Sequence, residues 1–143
     1  MEKTILLVED NPDDEELTLH AMAMHNLANQ IVVARDGVEA LDYLFGTGRF
    51  TGRNPNDLPT VVLLDINLPK LNGIEVLKRI RSEQLTQLLP VVLLTSSNEE
   101  EDRLKSYSLG ANSYVRKPVD FEEFIKVAGQ LGLYWILINQ PAV

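Results

Sequence analysis

Four apolar runs in this chain stop abruptly on residues that can do chemistry. Ile5-Leu6-Leu7-Val8 stops on Glu9-Asp10, and Thr60-Val61-Val62-Leu63-Leu64 stops on Asp65. Val91-Val92-Leu93-Leu94 stops on Thr95, and Tyr114-Val115-Arg116 stops on Lys117-Pro118. Short Val/Ile/Leu-rich runs separated by helical patterns read as buried parallel strands. Ligands of an open parallel sheet bind just beyond the carboxyl ends of its strands. Three acids, a hydroxyl and an ammonium are therefore expected on one edge.

Glu9, Asp10 and Asp65 carry the strongest signal. Two like charges ~4 Å apart repel by roughly 4 kcal/mol at an effective dielectric near 20. Such a cluster needs a cation among its members, or one acid must be protonated. Hard carboxylate oxygens with a nearby backbone carbonyl suit Mg²⁺. Taken alone, an acid at a strand end is a solvated loop residue or a helix cap. Thr95 alone would be a turn residue, and Lys117 a surface charge. Together they are what the equatorial oxygens of a transferred phosphoryl group require.

The elements that must position these residues follow in order. A strand is expected over residues 3–8, then a helix capped by Asn11 with Pro12 at its first position and acids in its first turn. Leu17, Ala21, Met24 and Leu27 supply its apolar stripe. A strand over 30–34 leads through Asp36-Gly37 to a helix over 37–45, with Val38, Leu41, Leu44 and Phe45 inward. Gly46 to Pro59 reads as a long loop, either a surface insertion or a partner contact. After a strand over 60–64, Asn72-Gly73 opens a helix to about residue 82, with Ile74, Leu77 and Ile80 inward and Lys78, Arg79 and Arg81 outward. A strand over 91–94 precedes a helix capped by Ser97 or Asn98 and stopped near Gly110. A strand over 112–116 precedes a helix capped by Asp120, with Phe121, Phe124, Ile125, Ala128 and Leu131 at helical spacing. Five strands alternating with five helices make an α/β, doubly wound sheet.

The 143 residues fit a single domain, 1–143, with a core over about 3–130 and an apolar extension over 131–143. A net charge of -8 argues against a nucleic-acid or anionic-membrane surface. The absence of cysteine excludes disulfide, thiolate and zinc-thiolate chemistry. No run approaches the roughly 18 apolar residues of a membrane span, and no signal peptide opens the chain. A cytoplasmic location is expected.

Glu9-Asp10-Asn11-Pro12, Asp36-Gly37-Val38-Glu39-Ala40-Leu41, Asp65 with Pro69 and Gly73, then Thr95, Gly110-Ala111, Tyr114 and Lys117-Pro118 form an ordered set. In that order they resemble the receiver domain of two-component response regulators. The resemblance implies a flavodoxin-like strand order of 2-1-3-4-5, with helices on both faces. It implies that Asp65 accepts a phosphoryl group from a histidine on a partner kinase. Asp10, Asp65 and the Asn67 carbonyl would ligate Mg²⁺, with Glu9 acting through water. Lys117 would pair with Asp65 and then with the phosphoryl oxygens, its bond to Pro118 being cis. Thr95 would move toward the phosphoryl group and Tyr114 would turn inward behind it. Glu9 replaces the Asp of many members, and Ser96 is the small residue expected after Thr95.

An alternative is an aspartyl phosphatase of the haloacid-dehalogenase kind. Such enzymes carry Asp-x-Asp, whereas Asp65-Ile66-Asn67 lacks the second acid. A nucleotide- or flavin-binding module lacks its Gly-rich fingerprint here. The protein is therefore expected to be a non-enzymatic signalling partner. His20 and His25 read as solvent-facing helix residues. Since the chain ends at Val143, no separate output domain is expected. The apolar tail Leu133 to Ile138, continuous with surfaces near Tyr107 and Tyr114, is expected to form a homodimer interface. The loop over 46–59 and the Tyr134-Trp135 tail are similar to those of stand-alone receivers that serve cyanobacterial phytochrome histidine kinases.

Overall fold

The computed structural model describes residues 4–23, 30–105 and 108–133. Its strands are β1 (Thr4–Val8), β2 (Gln30–Ala34), β3 (Val61–Asp65), β4 (Val91–Thr95) and β5 (Ser113–Arg116). Helices α1 (Pro12–Ala23), α2 (Gly37–Phe45), α3 (Gly73–Ser82), α4 (Asn98–Lys105) and α5 (Phe121–Gln130) alternate with them. The sheet is parallel throughout in the order β2-β1-β3-β4-β5, as the resemblance implied. β3 and β4 each run one residue beyond expectation, so Asp65 pairs with Leu94 and Thr95 with Arg116 inside the ladder.

Successive side chains of a strand face opposite sides, so continuous apolar runs supply two cores. Leu6, Val8, Val62, Leu64 and Leu93 pack on the side covered by α2, α3 and α4. Ile5, Leu7, Leu63, Val92, Leu94 and Val115 pack on the side of Met22 from α1 and of Phe124, Val127 and Ala128 from α5.

Polar side chains start the helices as expected. The side-chain Oδ1 of Asn11 accepts from the Asp13 and Asp14 amides. Asp36, Asn72, Ser97 and Asp120 accept from Glu39, Glu75, Glu100 and Glu122. Two close approaches demand glycine. A Cβ on Gly73 would run into the Asp65 carbonyl and the Ile66 Cα, and one on Gly37 into the Leu71 carbonyl.

The helix faces required correction. On α1, Thr18 and Met22 are buried while Leu17 is 52% exposed; Met24 and Leu27 lie outside the described residues. On α2, Ala40, Tyr43 and Leu44 are buried and Val38 is exposed. One residue's step turns a helix by about 100°, so the true face is set by how the preceding loop seats the first turn. Arg81 was expected to point outward. It reaches beneath α3 instead, donating to the Gly110 and Leu89 carbonyls and to Asn112 Oδ1, each at 2.8 Å.

The segment over 46–59 is not structureless. It holds a 3₁₀ turn at Gly48–Phe50, and Phe50 meets the Tyr43 ring edge-on at 5.2 Å. The Arg53 guanidinium stacks 3.9 Å over that ring and donates to the Tyr43 and Asp57 carbonyls.

Candidate functional site

The carboxyl ends of β1, β3, β4 and β5 bring Glu9, Asp10, Asp65, Thr95 and Lys117 to one edge of the sheet. Glu9, Asp65 and Thr95 are buried, whereas Asp10 is exposed. One carboxylate oxygen from each of Glu9, Asp10 and Asp65 lies within 4.8 Å of the others. The adjacency of β1 and β3 produces this cluster, because it sets Val8 beside Leu64 and so places the residues that follow side by side.

Lys117 closes the group from β5. Its Nζ lies 3.0 Å from Asp65 Oδ2, 3.2 Å from Asp14 Oδ2 and 3.3 Å from Glu9 Oε1. Burial works against its charge, yet Asp65, Glu9 and Asp14 outweigh that and hold its pKa above the ordinary lysine range. Burial first, and then its interaction with Asp65, pushes the Glu9 carboxyl up to about 7. An acid held so far from its usual value marks a crowded anionic hollow.

Asn67 donates its backbone N–H to Asp65 Oδ1 at 3.1 Å. The Thr95 hydroxyl is buried with no hydrogen-bond partner, a cost that a functional group commonly carries. The Lys117-Pro118 peptide bond is cis. Tyr114 is half-buried on β5, with Lys105 Nζ 5.4 Å from its ring centroid. His20 is exposed on α1, away from this edge. His25, Tyr107 and the tail beyond Leu133 lie outside the described residues.

Two participants escaped sequence reasoning. Asp14 was read only as a first-turn acid of α1, although that turn directly follows a site-bearing strand. Glu100, in the first turn of α4, was not singled out. Its Oε1 accepts from the Ser96 amide at 2.9 Å, and its Oε2 lies 3.5 Å from Asn67 Nδ2. The capping-box spacing Ser97-x-x-Glu100 is the signal that could have found it.

The all-oxygen donor set, with its crowded acids and a single shared ammonium, fits a hard divalent cation such as Mg²⁺ or Mn²⁺. Among the described residues, no helix is long and apolar enough to cross a membrane.

A parallel 2-1-3-4-5 sheet with an acidic hollow at the ends of β1 and β3 defines a class, and the sequence comparisons agree with it. The family profile described as the response regulator receiver domain matches residues 5–128, and the chain belongs to that family. It is 52% identical to the bacteriophytochrome response regulator AtBRR, covering 98% of this chain and 99% of that one at a TM-score of 0.90. It is 33% identical to Rcp1 of Synechocystis sp. over 98% of this chain and 94% of that protein. A solved structure of Rcp1 is of its Mn²⁺-bound form, with a TM-score of 0.72. The phosphorylated cyanobacterial phytochrome response regulator RcpA is 35% identical, covers 95% of both chains and has a TM-score of 0.74. The haloacid-dehalogenase-like alternative finds no support in these likenesses.

Proposed function

We propose that this protein is a phosphorylatable receiver whose acceptor is Asp65. The observation that carries the reading is the Asp65 carboxylate, buried, 3.0 Å from the Lys117 ammonium and sharing a hollow with Glu9 and Asp10. In the reaction, an Asp65 carboxylate oxygen attacks the phosphorus of a phosphohistidine on a partner kinase. An O–P bond forms, the P–N bond breaks, and its electron pair leaves with the imidazole.

Positioning and charge stabilisation supply most of the catalysis in such transfers. Lys117 holds Asp65 before transfer and the phosphoryl oxygens afterwards. The Thr95 hydroxyl donates to one of those oxygens, and Tyr114 fills the space that Thr95 vacates. Asp10, Asp65 and the Asn67 carbonyl would hold Mg²⁺, with Glu9 acting through water. When bound, the ion neutralises charge gathering on the phosphoryl oxygens. The result is a two-state switch biased by a local charge change.

Residues 1–143 act as one receiver unit in the cytoplasm, signalling by contact rather than by turnover. The names of the relatives support a phytochrome-type histidine kinase as donor. The apolar residues after Leu133 support a homodimer, which light scattering on the full chain and on a chain lacking 134–143 would test. The main reading is tested with Mg²⁺ and acetyl phosphate: wild type should gain one phosphoryl group and Asp65→Asn none. Equal incorporation by the two would remove Asp65 from its role.

A further inference from the structure

We propose that Glu100 is an anionic latch on the acceptor site, occupying the Ser96 N–H until a phosphoryl group on Asp65 displaces it. This rests on the reading of Asp65 as the phosphoacceptor.

Glu100 stands in the first turn of α4, where its own amide donates to Ser97 Oγ at 3.1 Å. Its side chain turns back toward the strand ends. Oε1 takes the Ser96 N–H at 2.9 Å, and Oε2 lies 3.5 Å from Asn67 Nδ2. One carboxylate thus ties the loop after β3 to the loop after β4 across the rim of the hollow. Ser96 directly follows Thr95, whose buried hydroxyl has no partner. Asn67 is the residue whose backbone N–H holds Asp65 Oδ1. Glu100 is therefore bound to Ser96, which follows Thr95, and to Asn67, whose N–H holds the Asp65 carboxylate.

A backbone N–H next to an anion site is a strong donor to it. A phosphoryl group carries close to two negative charges and three acceptor oxygens. Seated beside Thr95, it competes with the Glu100 carboxylate for the Ser96 N–H and repels it at the same time. The monoanionic side chain, held only by hydrogen bonds, yields to a dianion fixed covalently to Asp65. Release cuts the tie between α4 and the loop after β3, so occupancy of Asp65 is registered at the start of α4. The latch also sets a threshold, because every incoming phosphoryl group must first evict it.

The covalent step is unchanged. With acetyl phosphate, the bond from phosphorus to the acyl oxygen breaks, the Asp65 O–P bond forms, and acetate leaves with the electron pair. Glu100 gives and takes no proton.

The test uses the full chain with Mg²⁺ and beryllofluoride as a non-covalent phosphoryl mimic. It compares wild type with Glu100→Gln, Glu100→Ala and the exposed neighbour Glu99→Gln. Both Glu100 variants should bind beryllofluoride about tenfold more tightly, the size of one partly screened like-charge contact. Glu99→Gln should stay within twofold of wild type. In the free protein, exchange of the Ser96 amide should quicken in Glu100→Ala, while the amides of β4 keep their protection. Affinities within twofold of wild type for both Glu100 variants would overturn the latch. So would an equal gain from Glu99→Gln, which would mean a bulk charge effect. If wild type itself binds no mimic and accepts no phosphoryl group, the Asp65 reading falls first and takes the latch with it.

Discussion

The Lys117 ammonium and the Asp65 carboxylate meet at 3.0 Å, with both side chains largely shielded from water. The pair spans the sheet from β5 to β3, and Glu9 and Asp14 share the same ammonium. Removing one partner of a buried pair leaves the other uncompensated, at a cost of about 3 kcal/mol or more. Lys117→Met should therefore lower the unfolding free energy of the metal-free protein by about 3 kcal/mol in urea melts. Added Mg²⁺ should restore part of that loss. A melt unchanged within ~0.5 kcal/mol would mean that the ammonium is not balancing the acids.

Asp10 separates fold from site. It is exposed, so Asp10→Asn should change metal-free stability by no more than about 0.5 kcal/mol. Wild type should gain about 2.7 kcal/mol at a Mg²⁺ concentration 100 times its dissociation constant. The Asn variant should lose most of that gain, read as the difference between thermal melts in Mg²⁺ and in EDTA. An undiminished shift would put the cation elsewhere.

Glu9 should make metal-free stability depend on pH. Its carboxyl is raised to about 7 from an ordinary value of 4.5 by burial and by Asp65. Between those values the folded chain keeps a proton that the unfolded chain has lost. The resulting stabilisation is complete below pH 4.5 and disappears as pH rises through 7. Relative to Glu9→Gln, which cannot titrate, wild type should gain about 2 kcal/mol between pH 8 and pH 5.5 in EDTA. A flat difference between the two proteins across that range would contradict this.

How much of this was legible follows from what a sequence pattern encodes. Buried parallel strands read as unbroken apolar runs, so β1, β3 and β4 and the residues that end them stood out directly. The caps Asn11, Ser97 and Asp120 were equally visible, since they act on amides two or three residues away. Helix phase was less accessible: Leu17 and Val38 belong to apolar patterns yet face water, because a loop rather than the helix sets which side meets the sheet. Asp14 and Glu100 were hidden for a related reason. Their roles depend on where a first helical turn falls relative to a strand end, and no periodicity records that.

Arg81 was misjudged for want of a tertiary signal, and it gives a stability prediction of its own. Its fork reaches the Gly110 and Leu89 carbonyls and Asn112 Oδ1, which also accepts from the Val91 amide. An ammonium cannot reproduce that planar fork. Arg81→Lys should cost about 1–3 kcal/mol in urea melts, as expected for charged hydrogen bonds left unmade. Phosphoryl uptake per folded molecule should not change. A loss below ~0.5 kcal/mol would mean that water replaces the fork.

The contact between Gly73 and Asp65 is equally intolerant of change, since any Cβ at 73 would press on the backbone carbonyl of Asp65. Gly73→Ala should cost about 1–3 kcal/mol and also slow labelling by acetyl phosphate in the fraction that folds. Normal labelling kinetics would show that the strand end absorbs the strain without moving Asp65.

Arg53, stacked on Tyr43, has a practical corollary. The stack fastens one shoulder of a glycine-rich excursion to α2, while Gly52, immediately before it, looks onto open space. An outer bend held by a neighbouring clamp is a rigid mount with a vacant tip. A fluorophore or affinity handle grafted at that bend would ride on the body of the molecule, on the side of the sheet away from α1 and α5.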